Sequence, residues 1–176
     1  FPADFMLCAA MNPCPCGYYG DPTHHCVCTP GQIQHYMNKI SGPLLDRIDI
    51  QVEISPVPFK DISKTAQGEG SAAIRERVIK ARRRQEERYK EVKGIHCNAQ
   101  MTERMIHQFA EPDAQGMELL RVAMERLNLS ARAYNRILKV ARTIADLDDC
   151  DHVQSHHLGE AISYRNLDRS DWAERG

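Results

Sequence analysis

Four cysteines near the start of the chain have the spacing that most directly predicts chemistry. They form two Cys-x-Cys pairs separated by nine residues: Cys14 with Cys16, and Cys26 with Cys28. Four thiolates can hold Zn²⁺ tetrahedrally, and a closed set of four ligands predicts a structural rather than a catalytic ion. His24 or His25 could replace one thiolate. The alternative interpretation is a group of reduced surface thiols without a metal.

Asn12 and Arg47 each lie where one element ends. Asn12 follows an unbroken apolar run, so it could orient a water or a phosphate oxygen at the edge of a sheet, or it could be a plain Asn-Pro turn residue. Arg47 lies where a short helical stretch becomes an alternating strand. It could be directed out of its own domain, or it could simply pair with Asp46 or Asp49.

Arg132 lies in the first turn of a helix for which Ser130 is the expected N-cap. A cation there opposes the helix dipole, which is tolerable when an anion such as phosphate lies opposite. The alternative is a solvated basic face, which would consist of Arg132, Arg136, Lys139 and Thr143.

Two strands and several helices are predicted to position these residues. Residues 5–11 are apolar throughout, which predicts a strand buried on both faces of a parallel sheet. Residues 48–54 alternate between apolar and polar side chains, which predicts a strand with one wet face. Two strands do not make a stable parallel sheet, so we expect the chain to be the C-terminal part of a longer protein.

Helical periodicity begins after a polar connector. Apolar spacing and caps predict helices over 32–40, 71–92, 102–109, 112–127, 130–146 and 153–164, the last capped by Asp151. The helix over 71–92 is strongly basic, with interleaved glutamates. Such a surface is ordinarily solvated and internally paired, and phosphate-backbone binding is the alternative.

The overall composition is that of a globular protein without a membrane span. Of 176 residues, 42% are hydrophobic and 27% charged, the formal net charge is −1, and no apolar stretch approaches a membrane-spanning length. No secretory signal is visible, and clustered cysteines indicate reduced thiols or a metal rather than a disulfide framework. We therefore expect a cytoplasmic protein with no membrane partner.

Three blocks of sequence together resemble a known family. They are Ala9–Gly17 with the second Cys-x-Cys pair, Thr29-Pro30-Gly31-Gln32-Ile33, and Ser41-Gly42-Pro43-Leu44-Leu45-Asp46-Arg47-Ile48-Asp49, and residues 129–134 are similar to the family's lid. The chain resembles the bacterial magnesium-chelatase-like AAA+ proteins, and in particular their competence-associated ComM/YifB type.

The resemblance implies a fold that is mostly α overall. Residues 1–58 would be the C-terminal strands of a P-loop α/β core carrying the Cys-rich loop 14–28, 59–70 a linker, and 71–176 a mainly α-helical lid domain. Asn12 would be the sensor that aligns the attacking water, and Arg47 the arginine finger that reaches the γ-phosphate of a neighbouring subunit. Arg132 would contact the nucleotide of its own subunit. Phosphoryl transfer needs positioning and charge neutralisation of this kind.

The resemblance also implies a parent protein that hydrolyses ATP with Mg²⁺ in a hexameric ring and performs helicase or branch-migration work on DNA. The alternative is a chelatase-type regulator, or a zinc-stabilised module, that remodels a protein partner. No Gly-x4-Gly-Lys-Ser/Thr motif occurs in these 176 residues. We therefore expect the chain by itself to lack ATPase activity.

Overall fold

The computed structural model describes residues 5–54, 68–127 and 129–165. Its helices are α1 (Pro30–Met37), α2 (Gly42–Leu45), α3 (Ser71–Tyr89), α4 (Glu103–Phe109), α5 (Ala114–Arg126), α6 (Ala131–Leu147) and α7 (Ser155–Ser163), with a 3₁₀ turn at Asn98–Gln100. The described residues form two compact units, 5–41 and 42–165.

The predicted strands are wrong as elements of a sheet. No strand occurs among the described residues, whose single β-bridge joins Pro112 to Val153. In the first apolar run, Met6 is 91% exposed, so this segment has no sheet to bury it. In the second segment, the end of the last helix takes the bonds that a neighbouring strand would take. The Gln51 N–H donates to the Tyr164 carbonyl, and the Ile48 carbonyl accepts from the Arg165 guanidinium.

The predicted helices are confirmed within a few residues of their expected ends. Thr29 and Gln32 form a capping box at the start of α1, which begins at Pro30, two residues before the predicted boundary. Ser130 caps α6 as predicted, since its hydroxyl accepts from the Ala133 N–H. The prediction that Asp151 caps the last helix is wrong. That helix is α7, and Gln154 is its N-cap.

Helix α6 lies at the centre of the second unit and packs against α3, α4, α7 and the 3₁₀ turn. Its stripe of Ile137, Leu138, Ala141 and Ala145 is buried, as its 3.6-residue period predicts. Helix α5 approaches α7 at Gly116, where an added Cβ would lie 2.7 Å from Leu158 Cδ1. Only glycine fits this crossing without a shift of its neighbours.

A buried ionic network crosses the same unit. The Asp146 carboxylate is fully buried and accepts hydrogen bonds from Arg88, Arg142 and Asn98. Arg142 also donates to the carbonyls of Cys150 and Asp151, at 2.5 and 2.6 Å. The network therefore joins α3, the 3₁₀ turn, α6 and the loop that follows α6.

Part of the predicted architecture lies outside the described residues. These are the prolines expected to end the second segment, most of the 59–70 linker, and the tail that carries Trp172. Among the described residues, no helix combines the length and the apolar character needed to cross a membrane.

Candidate metal centre and arginine site

Glycines allow the cysteine loop to fold tightly. Gly17 and Gly20 have φ values of +85° and +80°, in the left-handed region that glycine adopts without steric cost. The Gly17 N–H donates to the Cys14 carbonyl at 3.0 Å, which closes a turn around the first pair of thiols. The Asp21 carboxylate accepts from the N–H groups of Thr23 and His24, so the middle of the loop is ordered by its own side chain.

The four sulfurs of the loop converge on one point. Cys14 Sγ lies 3.3 Å from Cys16 Sγ and 3.7 Å from Cys26 Sγ, Cys16 Sγ lies 3.5 Å from Cys26 Sγ, and Cys28 Sγ belongs to the same group. These separations are far longer than a disulfide bond, and all four thiols are free. Zinc–sulfur bonds of about 2.3 Å place tetrahedral sulfurs about 3.8 Å apart, close to this arrangement.

The thiols have unequal acidities. A hydrogen bond from the backbone N–H of Tyr18 lowers the pKa of Cys16 to about 6. The backbone N–H of Cys28 acts the same way on Cys26, but burial and the neighbouring Cys16 and Cys14 outweigh it and raise its pKa to about 12. Crowded thiolates repel one another, and a divalent cation supplies the missing positive charge. The donor set therefore fits Zn²⁺.

The two histidines of the loop do not join the sulfurs. His24 Nδ1 faces the Asp21 carboxylate at 3.4 Å, and its ring stacks on Tyr18 with centroids 4.9 Å apart. His25 is exposed and lies outside the ligand group. The alternative in which a histidine replaces a cysteine is therefore wrong for this arrangement.

Asn12 lies at the base of the cysteine loop. Its side chain is exposed, and a Cβ added at Gly17 would come within 3.8 Å of Asn12 Nδ2. The chain thus enters the proposed zinc loop directly after Asn12, through Pro13 and Cys14. A metal that fixes the loop would also fix the backbone on the C-terminal side of Asn12.

Arg47 projects from a tight turn after the four-residue helix α2. The Arg47 N–H donates to the Leu44 carbonyl, and the Ile48 N–H donates to the Leu45 carbonyl, both at 3.0 Å. The Arg47 side chain is exposed, and its Nη1 donates to the Pro43 carbonyl at 3.2 Å. The salt bridges with Asp46 or Asp49 considered above do not occur, because other side chains bind both carboxylates.

Those two carboxylates bind helix α6. Ser130 Oγ donates to the Asp46 carboxylate, at 2.8 and 3.0 Å from its two oxygens. Arg136 pairs with Asp49. The residue next to Arg47 is therefore bonded to the N-cap two positions before Arg132, although more than 80 residues of sequence separate them.

Arg165 anchors the same turn from the end of α7. Its guanidinium donates to the Ile48 carbonyl and, at 3.4 Å, to the Asp46 carbonyl, and it lies 3.5 Å from the Asp46 carboxylate. The Arg165 side chain is fully buried. The turn that carries Arg47 is therefore held by two helices of its own unit.

Arg132 is exposed at the N-terminal end of α6. Of the predicted basic face, Arg136 pairs with Asp49, Lys139 donates to the Ala99 carbonyl, and Thr143 donates to the Lys139 carbonyl. Arg132 is the member of this face with no hydrogen bond or ion pair within the described residues. The neighbours of Arg132 on this face are therefore engaged within the unit, and the guanidinium of Arg132 is available for an anion.

The basic helix α3 directs part of its charge toward carboxylates at the end of α6 and in the loop that follows it. Lys80 pairs with Asp149, Arg84 with Asp149 and Asp151, and Arg88 with the buried Asp146. The internal Glu–Arg pairs expected from the sequence are largely replaced by these tertiary pairs. Three exposed arginines of α3 form no ion pair within the described ranges: Arg75, Arg82 and Arg83.

A second group of residues of the types that bind metals lies after α6. His156 and His157 both direct Nε2 toward the Asp148 carboxylate, at 3.4 and 3.1 Å. His157 Nδ1, however, accepts the Gln154 N–H at 3.0 Å, so the ring carries its proton on Nε2. A metal would need that nitrogen deprotonated. The arrangement is therefore a helix cap held by a carboxylate rather than a metal site.

Sequence reasoning missed the residues that hold these sites together. From the sequence, Asp46 is a candidate partner of Arg47, Ser130 is a helix cap, and Arg165 has no indicated role. For Arg142 and Asp146 a local signal exists, because two opposite charges four residues apart interrupt the apolar stripe of α6. For Arg165 we find no local signal.

Two family models cover most of the chain. The model described as magnesium chelatase, subunit ChlI C-terminal, matches residues 68–165, and the model described as magnesium chelatase, subunit ChlI, matches residues 1–62. The chain belongs to the magnesium-chelatase ChlI family. The boundary between the two matches falls within the polar connector expected from the sequence.

Individual relatives of this ChlI-family chain agree with the resemblance. The chain is 44% identical to the uncharacterized protein YifB of Escherichia coli and 42% identical to the competence protein ComM of Haemophilus influenzae, in each case over 170 residues. These alignments cover 96% of this chain and 32% of each relative. The chain thus spans about a third of the length of these relatives, and the predicted likeness to the ComM/YifB type is confirmed.

Proposed function

We propose that this chain forms the arginine-bearing and lid part of a AAA+ ATPase that hydrolyses ATP with Mg²⁺ in a ring. The observation that carries the proposal is a pair of exposed arginines, Arg47 and Arg132, linked through the Asp46–Ser130 hydrogen bond. Neither arginine pairs with a carboxylate within the described residues, whereas Arg136 and Arg165 nearby do. Two exposed guanidinium groups without a carboxylate partner in the described residues, one of them in the first turn of a helix, suit a polyphosphate.

Each residue has a role that phosphoryl transfer requires. Arg47 is the arginine finger that neutralises charge on the γ-phosphate of a neighbouring subunit, and Asn12 orients the attacking water. Arg132 binds nucleotide phosphate at the start of α6. We expect charge neutralisation by Arg47 to contribute more to turnover than the roles of Asn12 and Arg132, because arginine fingers contribute roughly 10³- to 10⁵-fold.

Arg132 has two possible targets. The family resemblance implies the nucleotide of its own subunit. The link from Asp46 to Ser130 also favours a second geometry, in which Arg47 and Arg132 approach the same nucleotide of the neighbour. Mixing Arg47→Ala and Arg132→Ala proteins distinguishes the two geometries. In the first, one variant can supply Arg132 and its neighbour can supply Arg47, so a mixed ring contains intact sites and recovers activity. In the second, both arginines must come from one subunit, so a mixed ring stays inactive.

Zinc has a structural role in this proposal. The four thiols described above enclose it within a loop that begins directly after Asn12. The ion stabilises this loop and limits the movement of Asn12, and it takes no part in hydrolysis. Elemental analysis of the purified protein tests this assignment, with one zinc per chain expected.

DNA is the proposed substrate of the assembled ring, which we take to be hexameric, cytoplasmic and engaged in helicase or branch-migration work. One relative is named a competence protein, and we extend that role to this chain. Arg75, Arg82 and Arg83 of α3, which form no ion pair within the described residues, offer charge for a phosphate backbone. Remodelling of a protein partner is the alternative, and it predicts ATPase stimulation by protein rather than by DNA.

The test is an ATPase assay on the full-length gene product with and without DNA. We expect DNA to stimulate turnover and Arg47→Ala to reduce kcat by roughly 10³-fold or more while nucleotide binding persists. Arg104→Ala is the matched control, since it removes an exposed arginine of α4 that has no role in this proposal. Wild-type turnover in Arg47→Ala would exclude the finger assignment, and a lack of DNA stimulation would favour the alternative substrate.

A further inference from the structure

Two side chains from elsewhere in the helical unit, Arg165 and Ser130, form hydrogen bonds with the turn that carries Arg47. A buried guanidinium is costly unless it is hydrogen-bonded, and the partners of Arg165 include two backbone carbonyls and a carboxylate of this turn. In the folded protein, hydrogen bonds to Asp46 and Ile48, the residues on either side of Arg47, therefore replace the bonds that the Arg165 guanidinium would form with water.

Ser130 contributes a second anchor with one hydroxyl. Its oxygen accepts the Ala133 N–H at 3.2 Å, which caps α6, and its proton goes to the Asp46 carboxylate at 2.8 Å. Most N-cap serines need only the first bond. Here the same group joins the start of the lid helix to the residue before Arg47.

The contacts of the Arg47 side chain do little to fix the direction in which it points. Its side chain is exposed, and within the described residues its guanidinium has the single Pro43 carbonyl as partner. The direction of the side chain therefore depends on the backbone at 46–48. A misplacement of about 1 Å in a catalytic group can cost on the order of 100-fold in rate, so this backbone must be held firmly.

We propose that Arg165 and Ser130 are positioning residues that lock the Arg47 turn to the helical unit, so that the arginine finger moves together with the lid helices. This inference rests on the proposed function, because it needs Arg47 to act on a nucleotide. It assigns to the last helix and to the N-cap of α6 a role in setting the turnover of the neighbouring subunit.

Ser130→Asp in the full-length protein tests the Ser130 anchor. Aspartate is as good an N-cap as serine, so α6 remains capped, but it has no proton to donate and directs a carboxylate at Asp46. We expect kcat measured at saturating ATP to fall roughly 10- to 100-fold. We also expect faster hydrogen exchange at the Gln51 amide, which donates to the Tyr164 carbonyl.

A second substitution should rescue this variant. Adding Asp46→Asn supplies an amide N–H that can donate to the carboxylate introduced by Ser130→Asp, which restores the bond with reversed polarity. Recovery of most of kcat and of the slow Gln51 exchange is the expected result. A double variant that is no more active than Ser130→Asp would count against the anchor.

Arg165→Lys tests the other anchor against a matched control. Lysine keeps the charge but cannot donate to two separated carbonyls in the geometry of a guanidinium. Arg142→Lys is the control, because Arg142 is equally buried and donates to backbone carbonyls at Cys150 and Asp151, away from the Arg47 turn. Both variants should lower Tm, and only Arg165→Lys should lower kcat at temperatures where both are folded.

The outcomes separate this inference from the proposed function. If Arg47→Ala abolishes turnover while Ser130→Asp retains wild-type kcat despite fast Gln51 exchange, the positioning role is overturned and the finger stands. Equal losses of kcat in Arg165→Lys and Arg142→Lys would likewise overturn the role of Arg165. If the wild-type protein hydrolyses no ATP, or Arg47→Ala retains full activity, both proposals fall.

Discussion

The two units of this chain are stabilised in different ways. Within the described part of residues 5–41, Cys14 and Ile33 are the buried hydrophobic residues, and Phe5, Met6 and Leu7 are exposed. The helical unit instead has a continuous apolar core around Leu120, Ile137, Leu138 and Leu158, crossed by the Asp146 network. A small unit with so little buried apolar area needs another source of stability, and the proposed metal at the cysteines would supply it.

The largest effect is expected from loss of the metal. Structural zinc sites contribute on the order of 10 kcal/mol to folding, so Cys16→Ser with Cys26→Ser should unfold the first unit and leave the melting of the helical unit unchanged. Hydrogen exchange of residues 14–28, compared with 131–147, measures this. Cys8→Ser is the control, because Cys8 is exposed and outside the sulfur cluster. Slow exchange throughout the loop of the double variant would contradict the metal's structural role.

The next largest effect is expected in the helical unit, from Asp146→Asn. This change leaves Arg88 and Arg142 without their buried counter-charge, and breaking a buried ion pair costs roughly 3–5 kcal/mol. Urea unfolding monitored by circular dichroism measures the loss. Asp149→Asn is the control, because Asp149 is half-exposed and its pairs with Lys80 and Arg84 should contribute less than about 1 kcal/mol each. Equal losses of unfolding free energy in Asp146→Asn and Asp149→Asn would mean that burial does not increase the contribution of Asp146 to stability.

A smaller effect is expected where α5 crosses α7. Gly116→Ala would bring a Cβ to 2.7 Å from Leu158 Cδ1 and 2.9 Å from Pro112 Cβ, and overpacking of this kind costs about 1–3 kcal/mol. Gly159→Ala in α7 is the matched control, since nothing lies within 4 Å of its Cβ position. Alanine there should stabilise the helix by up to about 1 kcal/mol. A Tm increase in both variants would refute the close packing at Gly116.

The smallest loss of stability is expected from acid, when it is counted per pH unit. Burial alone would raise the pKa of Asp146, but hydrogen bonds from Arg88 and Asn98 and the charge of Arg142 outweigh it and lower the pKa. The stability that this carboxylate contributes is complete above its unfolded pKa of about 3.9 and is lost as pH falls through the lower folded value.

Acid should therefore affect the two units in order. Protonation of Asp146 costs at most about 1.4 kcal/mol per pH unit, whereas the cysteines exchange zinc for protons at higher pH. Hydrogen exchange measured between pH 7 and 3 should show the cysteine loop opening first. Simultaneous opening of both units would contradict separate sources of stability.

Local sequence signals foresaw the helices because the physical causes are themselves local. The Ser130 cap and the apolar stripe of α6 depend on residues within four positions of one another, and both are confirmed. The clustering of the four sulfurs also follows from spacing, since two short pairs and flexible glycines suffice to bring them together. The family was recognisable because its motifs are contiguous blocks of sequence.

Local signals failed where the outcome depended on partners elsewhere. The alternation at 48–54 predicts a strand, but a strand needs a neighbour, and the described structure offers helix ends instead. Basic residues of α3 could be counted from the sequence, but their pairing depends on carboxylates 58 to 69 residues away, at the end of α6 and in the loop that follows it.

The sequence by itself determined the family, the helices and the residue types of both sites. Only the tertiary structure decided how the arginines are held. The bonds from Asp46 to Ser130 and from Arg165 to Ile48 span 84 and 117 residues, and no local pattern records such pairings. Their physical reason is that buried or capping polar groups must find hydrogen-bond partners, and the fold brings those partners from the Arg47 turn.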